Sequence, residues 1–176
     1  MFPIIGIAVV GLVAAVLGYA ASRPGEFRLR RTHRINAAPG KIFSHINDFR
    51  RWEVWSPWEK LDPALKRTHS GAASGKGAVY EWEGNSKAGK GRMEIVESSP
   101  PGKLIIKIDF IKPFEAHNTV EFMLEPKSNA TDVTWSMFGP NPYMMKVMGV
   151  FVDMDKMIGK DFEKGLASLK TVAEGG

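Results

Sequence analysis

The side chains best suited to acid–base chemistry are four carboxylates, one histidine and one amide in the middle of the chain: Glu81, Glu83, Asp109, His117, Asn118 and Glu121. General acid–base catalysis needs a convergent pair of such groups beside the substrate. The alternation of neighbouring residues places the carboxylates and His117 opposite the apolar faces of their strands, so we expect them to face solvent. Asn118 shares the apolar phase of Val120 and Phe122. One inward amide orients a ligand but provides no acid–base pair.

Other kinds of reactive site have weaker signals. The chain has no cysteine, which excludes disulfides, thiol catalysis and thiolate metal sites. The four histidines are scattered without metal-ligand spacing, and His45, on a short predicted helix, is more simply an exposed residue. The glycine-rich stretch 71–77 lacks the flanking strand and helix of a phosphate-binding loop. We therefore identify no catalytic residue, no metal site and no cofactor.

Large aromatic and methionine side chains are the more prominent feature. The aromatic set is Trp52, Trp55, Trp58, Tyr80, Trp82 and Trp135, and nine methionines include Met137, Met144, Met145, Met148, Met154 and Met157. Aromatic rings provide flat contact surfaces, and methionine adapts to irregular apolar shapes. Two interpretations stay open: ordinary core packing, or the lining of a cavity for a hydrophobic ligand.

The elements that position these residues are predicted from periodicity. Alternating apolar residues between turn signals indicate strands at 26–36, 66–70, 77–84, 91–98, 104–110, 118–124 and 132–137. Two short helices are expected at 41–46 and from Asn47 to near Trp52, followed by an irregular packed loop rich in Trp and Pro. Helical spacing from Pro142 to Glu174 predicts one long helix, which Gly149 and Gly159 could bend or interrupt.

This order predicts an α+β fold. A curved antiparallel sheet of about seven strands must cover its apolar face. The long C-terminal helix is the element available to do so, and wrapping a sheet around one helix usually leaves a cavity between them.

The N-terminal segment is predicted to be a membrane anchor. Residues 2–21 are uncharged and predominantly apolar, which matches the about 20 residues needed to cross a bilayer. A cleaved signal peptide is the alternative, but no basic residue precedes the run and Gly18-Tyr19-Ala20 is a weak cleavage match. The sequence thus divides into a transmembrane helix at 1–22 and one domain at 23–176.

The net charge of +5 is concentrated beside this segment. Between residues 23 and 34 the chain has one glutamate and five arginines: Arg23, Arg28, Arg30, Arg31 and Arg34. The rest of the domain is nearly neutral, which argues against a nucleic-acid partner. Positive charge after the helix and none before it predicts that the domain lies on the cytoplasmic side. The arginines could also contact anionic lipid headgroups.

Motifs spread over residues 26–173 resemble the START-like (SRPBCC) superfamily, in its polyketide cyclase/dehydrase branch. They are RTHRINAAPGKIF at 31–43, INDFRRWEVWSPWEKLDP at 46–63, GKGAVYEWEGNSKAGKGRMEI at 75–95, the pair Pro113-Phe114, VTWSMFGPN at 133–141 and GKDFEKGLASLK at 159–170. The resemblance implies a helix-grip fold with an internal hydrophobic pocket. It implies a reaction far less, because members include carriers as well as enzymes.

On this basis the expected pocket lining is Trp55, Trp58, Tyr80, Trp82, Met93, Ile106, Ile108, Phe110, Asn118, Val120, Phe122, Trp135, Met137, Met154 and Met157. The leading hypothesis is a membrane-anchored, non-catalytic binding protein for a lipid, isoprenoid quinone or polyketide-like molecule. One alternative is an accessory subunit whose anchor helix packs with other membrane proteins. Another is an enzyme of the cyclase or dehydrase type.

Overall fold

The computed structural model describes the backbone of residues 2–175 and the side chains of residues 6–175. The α-helices in this range are α1 (Phe2–Ser22), α2 (Pro39–Ile46), α3 (Tyr143–Phe151) and α4 (Met154–Glu174). The strands are β1 (Glu26–Ile35), β2 (Lys66–Gly71), β3 (Ala78–Glu83), β4 (Lys90–Ser99), β5 (Lys103–Lys112), β6 (Ala116–Lys127) and β7 (Ala130–Pro140). Two 3₁₀-helices, Phe49–Val54 and Pro57–Lys60, lie between α2 and β2.

The seven strands form one antiparallel sheet in the order β1-β7-β6-β5-β4-β3-β2. β1 pairs with β7 from Glu26 opposite Pro140 to Ile35 opposite Thr131. The registers of the other strand pairs place the start of β6, the end of β5, the start of β4 and the end of β3 at the same end of the sheet as the start of β1 and the end of β7. We call this the α1 end of the sheet, because α1 and α3 both adjoin it.

The apolar phase of each strand forms the core, as predicted. Buried side chains on the inner face include Ile106, Phe122 and Val133. α4 covers this face with Phe162 and Leu166, which are almost fully buried. The α+β helix-grip architecture with a seven-stranded antiparallel sheet and a C-terminal helix is therefore confirmed, and the predicted strand positions agree with β1 to β7 apart from their ends.

The segment after α2 is ordered by caps and indole hydrogen bonds. The Asp48 side chain accepts a hydrogen bond from the Arg50 backbone N–H at the start of the first 3₁₀-helix. The indole N–H groups of Trp52 and Trp55 donate to the carbonyl oxygens of Ile46 and His45, both at 3.1 Å. These bonds satisfy the two indole N–H groups within a buried aromatic cluster.

The predicted single helix from Pro142 to Glu174 is wrong in one respect. The chain leaves helical geometry at Val152, whose φ and ψ are extended. Asp153 then caps α4 by accepting a hydrogen bond from the Lys156 N–H at 3.0 Å. Gly149 and Gly159 lie inside α3 and α4, so a side-chain cap, rather than a glycine, divides the two helices.

The predicted transmembrane anchor is not supported. Among the described residues, no helix is long and apolar enough to cross a membrane. The segment does form a helix, α1, which packs against α3. The Tyr143 hydroxyl donates to the Leu17 carbonyl oxygen at 3.0 Å, and Arg23 Nη1 donates to the Gly149 carbonyl oxygen at 2.9 Å.

The five arginines predicted to face lipid headgroups have several intramolecular contacts. Arg31 Nε and Nη2 lie 2.8 and 3.0 Å from carboxylate oxygens of Glu163 and Asp155, which ties β1 to α4. Arg34 Nε lies 2.7 Å from Asp132 Oδ1 across the β1–β7 pair. The guanidinium of Arg28 lies 4.2 Å from the centroid of the Phe138 ring, and Arg23 lies over Tyr19. Part of this basic segment therefore holds the domain together.

Candidate functional site

A cavity of about 230 Å³ lies between α4, the inner face of the sheet and the segment from Trp52 to Leu65. Its lining is predominantly apolar: Trp52, Ser56, Trp58, Glu59, Leu65, Tyr80, Trp82, Ala88, Met93, Ile108, Phe110, Val120, Trp135, Met137, Ile158, Asp161 and Phe162. Buried residues such as Trp135 and Val120 form the floor. Six lining residues are half-buried: Trp58, Trp82, Ala88, Phe110, Ile158 and Asp161. Three of them, Trp82, Ala88 and Phe110, lie at the α1 end of the sheet, so the cavity opens towards that end.

Aromatic rings form most of the walls. Trp135 stacks on Phe162 of α4 with ring centroids 4.2 Å apart and planes 15° apart. Trp58 meets Trp135 edge-on at 5.5 Å, and Trp82 meets Phe110 edge-on at 6.0 Å near the mouth. Such pairs stabilise beyond their buried area. The walls are therefore flat and preorganised, which suits a planar or apolar ligand body.

The position of the Trp82 ring depends on a glycine in the neighbouring strand. A Cβ on Gly91 would lie 2.3 Å from two ring atoms of Trp82 and 2.7 Å from the Asp109 carbonyl oxygen. The Trp82 indole N–H donates to the Ala88 carbonyl oxygen at 3.0 Å, which fixes the ring against the β3–β4 turn. The Trp82 ring is therefore held in the cavity wall by its close contact with Gly91 and by its hydrogen bond to Ala88.

Polar side chains interrupt the apolar surface at Ser56, at Asp161 and at the hydrogen-bonded pair of Glu59 and Tyr80. Glu59, whose side chain is only 6% exposed, accepts a hydrogen bond from the Tyr80 hydroxyl at 2.6 Å through Oε1. Its other oxygen, Oε2, lies 2.7 Å from Arg67 Nε. Burial, together with the hydrogen bond to the carboxylate, raises the pKa of Tyr80, so its hydroxyl stays protonated. Glu59 and Tyr80 line the cavity, whereas Arg67 contacts Glu59 from outside the lining.

Nine of the fifteen residues predicted to line a pocket do line this cavity: Trp58, Tyr80, Trp82, Met93, Ile108, Phe110, Val120, Trp135 and Met137. Ile106, Phe122 and Trp55 are fully buried in the core beneath it instead. Asn118 is half-buried beside Gly139 and does not line the cavity. Met154 and Met157 lie in the first turn of α4, where Met157 is exposed. A ligand-binding role for the nine residues stays a prediction.

The sequence missed eight lining residues: Trp52, Ser56, Glu59, Leu65, Ala88, Ile158, Asp161 and Phe162. Five of them lie in the 52–65 segment or the β3–β4 turn, where no periodicity reports which way a side chain points. Ile158 and Phe162 belong to the apolar face of α4, and their helical spacing was available as a signal. Asp161, between them, has a side chain that is 39% exposed.

The acid–base candidates do not converge on the cavity. Glu81 and Glu83 are exposed, and Asp109 pairs with His117 at 2.7 Å on the outer face of the sheet. That hydrogen bond raises the pKa of His117. His45 is half-buried, and burial, with Arg51 and Lys41 nearby, lowers its pKa. In residues 2–175, no cluster of three or more histidines and carboxylates is placed to hold a metal.

A second depression, of about 370 Å³, lies on the outer face of the sheet. It is lined by Arg28, Arg30, Glu121, Met123, Glu125, Thr134 and Ser136. Although it is larger than the inner cavity, it is more open and predominantly polar, and its lining contains both arginines and glutamates. The enclosed apolar cavity is therefore the better candidate for a ligand site.

Residues 26–174 match the family model described as polyketide cyclase / dehydrase and lipid transport. The chain belongs to this family. The match covers β1 through α4, so it includes every element that contributes to the cavity. No curated protein matches the chain in sequence. The family model is thus the comparison that classifies the chain by sequence, and α1 lies outside the matched range.

Solved structures share the fold at low sequence identity. A protein from Rhizobium leguminosarum matches with a TM-score of 0.62 at 11% identity, over 86% of this chain and 96% of that one. A protein from Chromobacterium violaceum gives a TM-score of 0.59 at 15% identity, over 86% and 99%. The Aha1 dimer from Colwellia psychrerythraea gives 0.58 at 16% identity, over 84% and 96%. These likenesses establish the helix-grip fold of this family member and leave its ligand open.

Proposed function

We propose that this protein binds a hydrophobic small molecule in the cavity between α4 and the sheet. The observation that carries the proposal is an apolar cavity with aromatic walls that opens to the surface at one end of a buried core. Protein interiors rarely leave space larger than a water molecule without a reason. The family description, which includes lipid transport as well as cyclases and dehydrases, is consistent with this function.

The cavity volume limits what it can hold. At about 230 Å³, it is smaller than the roughly 300–1,000 Å³ pockets that enclose drug-sized ligands. A compact ring system fits inside. A longer isoprenoid or acyl molecule would place only one end in the cavity and leave the rest at the mouth.

The test is calorimetric titration of the full chain with 2-methoxynaphthalene, a neutral two-ring probe. Val120 lies on the cavity floor and is 4% exposed, so Val120→Phe fills space that the probe needs. We expect saturable binding to the unmodified chain and a loss of affinity of about tenfold or more in Val120→Phe, the scale of one lost apolar group.

The matched control is Val79→Phe. Val79 is half-buried on β3, one residue before Tyr80 and in the opposite phase, so the added ring stays outside the cavity. It should leave probe affinity unchanged. Equal affinity for the unmodified chain and Val120→Phe, with both proteins folded by circular dichroism, would contradict binding in this cavity.

We further propose that the protein associates with a membrane through α1 and α3. Apart from Val54, the exposed large apolar side chains of the described residues lie in four places. These are α1, the segment from α3 to the start of α4, the end of β5 with the β5–β6 turn, and Leu61 beside the β3–β4 turn. They therefore gather at the α1 end of the sheet. A concentration of exposed apolar side chains is typical of an interaction surface. The charged residues in this region are few: residues 6–22 and 143–152 contain Lys146 and no acidic residue. That charge pattern suits an anionic bilayer.

Co-sedimentation with vesicles tests this association. The full chain should bind vesicles of phosphatidylcholine and phosphatidylglycerol more strongly than phosphatidylcholine alone. The double variant Met144→Glu with Phe151→Glu, at positions 69% and 73% exposed, should lower binding by about tenfold or more. Val54→Glu, at an exposed position outside α1 and α3, is the control. If the double variant binds as the parent does, or if the chain ignores vesicles and co-purifies stoichiometrically with a membrane protein, membrane binding by this surface is wrong.

A further inference from the structure

The charged side chains that line the cavity are both carboxylates. Glu59 is buried and Asp161 is partly exposed, and among the described residues no lysine, arginine or histidine lines the cavity. Asp161 is partly solvated and lies 3.5 Å from Lys164. Glu59 is enclosed, and a charge in such a place acts strongly because water screens it little. The electrostatic character of the cavity is therefore set mainly by Glu59.

At Glu59 and Tyr80, the hydrogen-bonding capacity that remains is for accepting. The Tyr80 hydroxyl already gives its proton to Glu59 Oε1, so only its oxygen lone pairs remain. Arg67 neutralises Glu59 from the Oε2 side without reaching the cavity lining. A carboxylate oxygen accepts more than one hydrogen bond, so Oε1 can accept another.

Nearby donors offset this accepting capacity only at Ser56. The indole N–H groups of Trp52 and Trp82 are bonded to the carbonyl oxygens of Ile46 and Ala88. Trp135 Nε1 has no partner among the described residues, but the atom is fully buried and so is closed to a molecule in the cavity. The Ser56 hydroxyl lines the cavity and can serve either as donor or as acceptor.

We propose that the ligand is a compact apolar or aromatic molecule that carries a hydroxyl or amine hydrogen-bond donor, held at Glu59 and Tyr80, and that anionic head groups are excluded. This inference rests on the proposed binding function and narrows it. It favours a phenol-like or amine-bearing ring over a fatty acid, whose carboxylate would meet Glu59, and over a quinone, whose carbonyls offer only acceptors. A cationic amine would also gain from the surrounding aromatic faces.

Three probes with one naphthalene body test the head-group rule at neutral pH: 2-naphthol, a neutral donor; 2-methoxynaphthalene, which cannot donate; and 2-naphthoate, an anion. Calorimetry on the full chain should rank naphthol about tenfold to a hundredfold tighter than methoxynaphthalene, the range for a hydrogen bond to a charged acceptor. Naphthoate should bind most weakly. Because the ranking is measured on the unmodified chain, it does not depend on any variant folding.

The variant Glu59→Gln adds a second readout. It keeps the shape of the side chain and removes its charge, so naphthol should lose affinity while methoxynaphthalene does not. Glu97→Gln, which removes a carboxylate that pairs with Lys103 outside the cavity lining, should leave the ranking unchanged. Naphthoate binding as tightly as naphthol, or naphthol no tighter than methoxynaphthalene, overturns the head-group rule while the cavity remains a binding site. Failure of all three probes to bind overturns both this rule and the proposed function.

Discussion

At the scale of single residues, the contact between Tyr80 and Glu59 is the most consequential in the molecule. Both side chains are buried, and a buried carboxylate is tolerated only when its oxygens have partners. Sequence patterning placed Tyr80 correctly on the inner face of β3, because strand alternation reports direction. It gave no account of Glu59, which follows Pro57 and Trp58 in a 3₁₀-helix where no two-residue period applies. The sequence therefore predicted apolar residues that shape the cavity, but not the carboxylate that determines its hydrogen bonding.

Replacing Tyr80 by Phe should destabilise the fold. The change removes the donor to Glu59 Oε1 at 2.6 Å and leaves a buried carboxylate oxygen short of one partner, at a cost of about 1–3 kcal/mol. Urea unfolding measures this cost. Tyr143→Phe is the control, because its hydroxyl also donates a hydrogen bond but the side chain is 48% exposed, and it should change stability by less than about 0.5 kcal/mol. Equal losses in the two variants would show that the buried bond has no special weight.

At the scale of elements, the sheet was predictable and the division of the C-terminal helix was not. Alternation over six to twelve residues fixes which face of a strand is apolar, and β5 and β6 follow it closely. The α3–α4 boundary depends on one local competition, in which Asp153 caps a new helix better than Val152 continues the old one. Glycines attract attention as helix breakers, but Gly149 and Gly159 serve close packing against Arg23 and Arg31 instead.

The β3–β4 pair makes a sharp prediction about the cavity wall. Gly91→Ala would place a Cβ 2.3 Å from the Trp82 ring and 2.7 Å from the Asp109 carbonyl oxygen. The backbone of β5 cannot retreat, so the ring must move, and we expect a loss of about 1–3 kcal/mol. Urea unfolding gives the stability, and near-ultraviolet circular dichroism reports the rearranged tryptophan. Gly40→Ala, with no atom within 4 Å of its added Cβ, should be neutral or slightly stabilising. A Gly91→Ala protein as stable as Gly40→Ala would refute the close contact.

At the scale of the whole molecule, the features that carry the proposed functions lie at the same end of the sheet. The cavity mouth, α1, α3 and the exposed Phe114 of the β5–β6 turn all lie at the α1 end of the sheet. The sequence predicted an apolar N-terminal helix and an inner cavity separately. It could not predict that they lie at the same end of the sheet, because strand order and register decide that, and both depend on contacts between distant parts of the chain.

The pairing of β1 with β7 also has a consequence for how the chain is made. Glu26 pairs with Pro140, so β1 leaves the ribosome before β7, the strand with which its hydrogen bonds form. α4, with Ile158 and Phe162, follows later still. During synthesis β1 is thus an unpaired strand attached to an apolar helix, a state prone to aggregation. The cavity forms only after α4 has been synthesised, so a chain terminated before α4 lacks one wall of it.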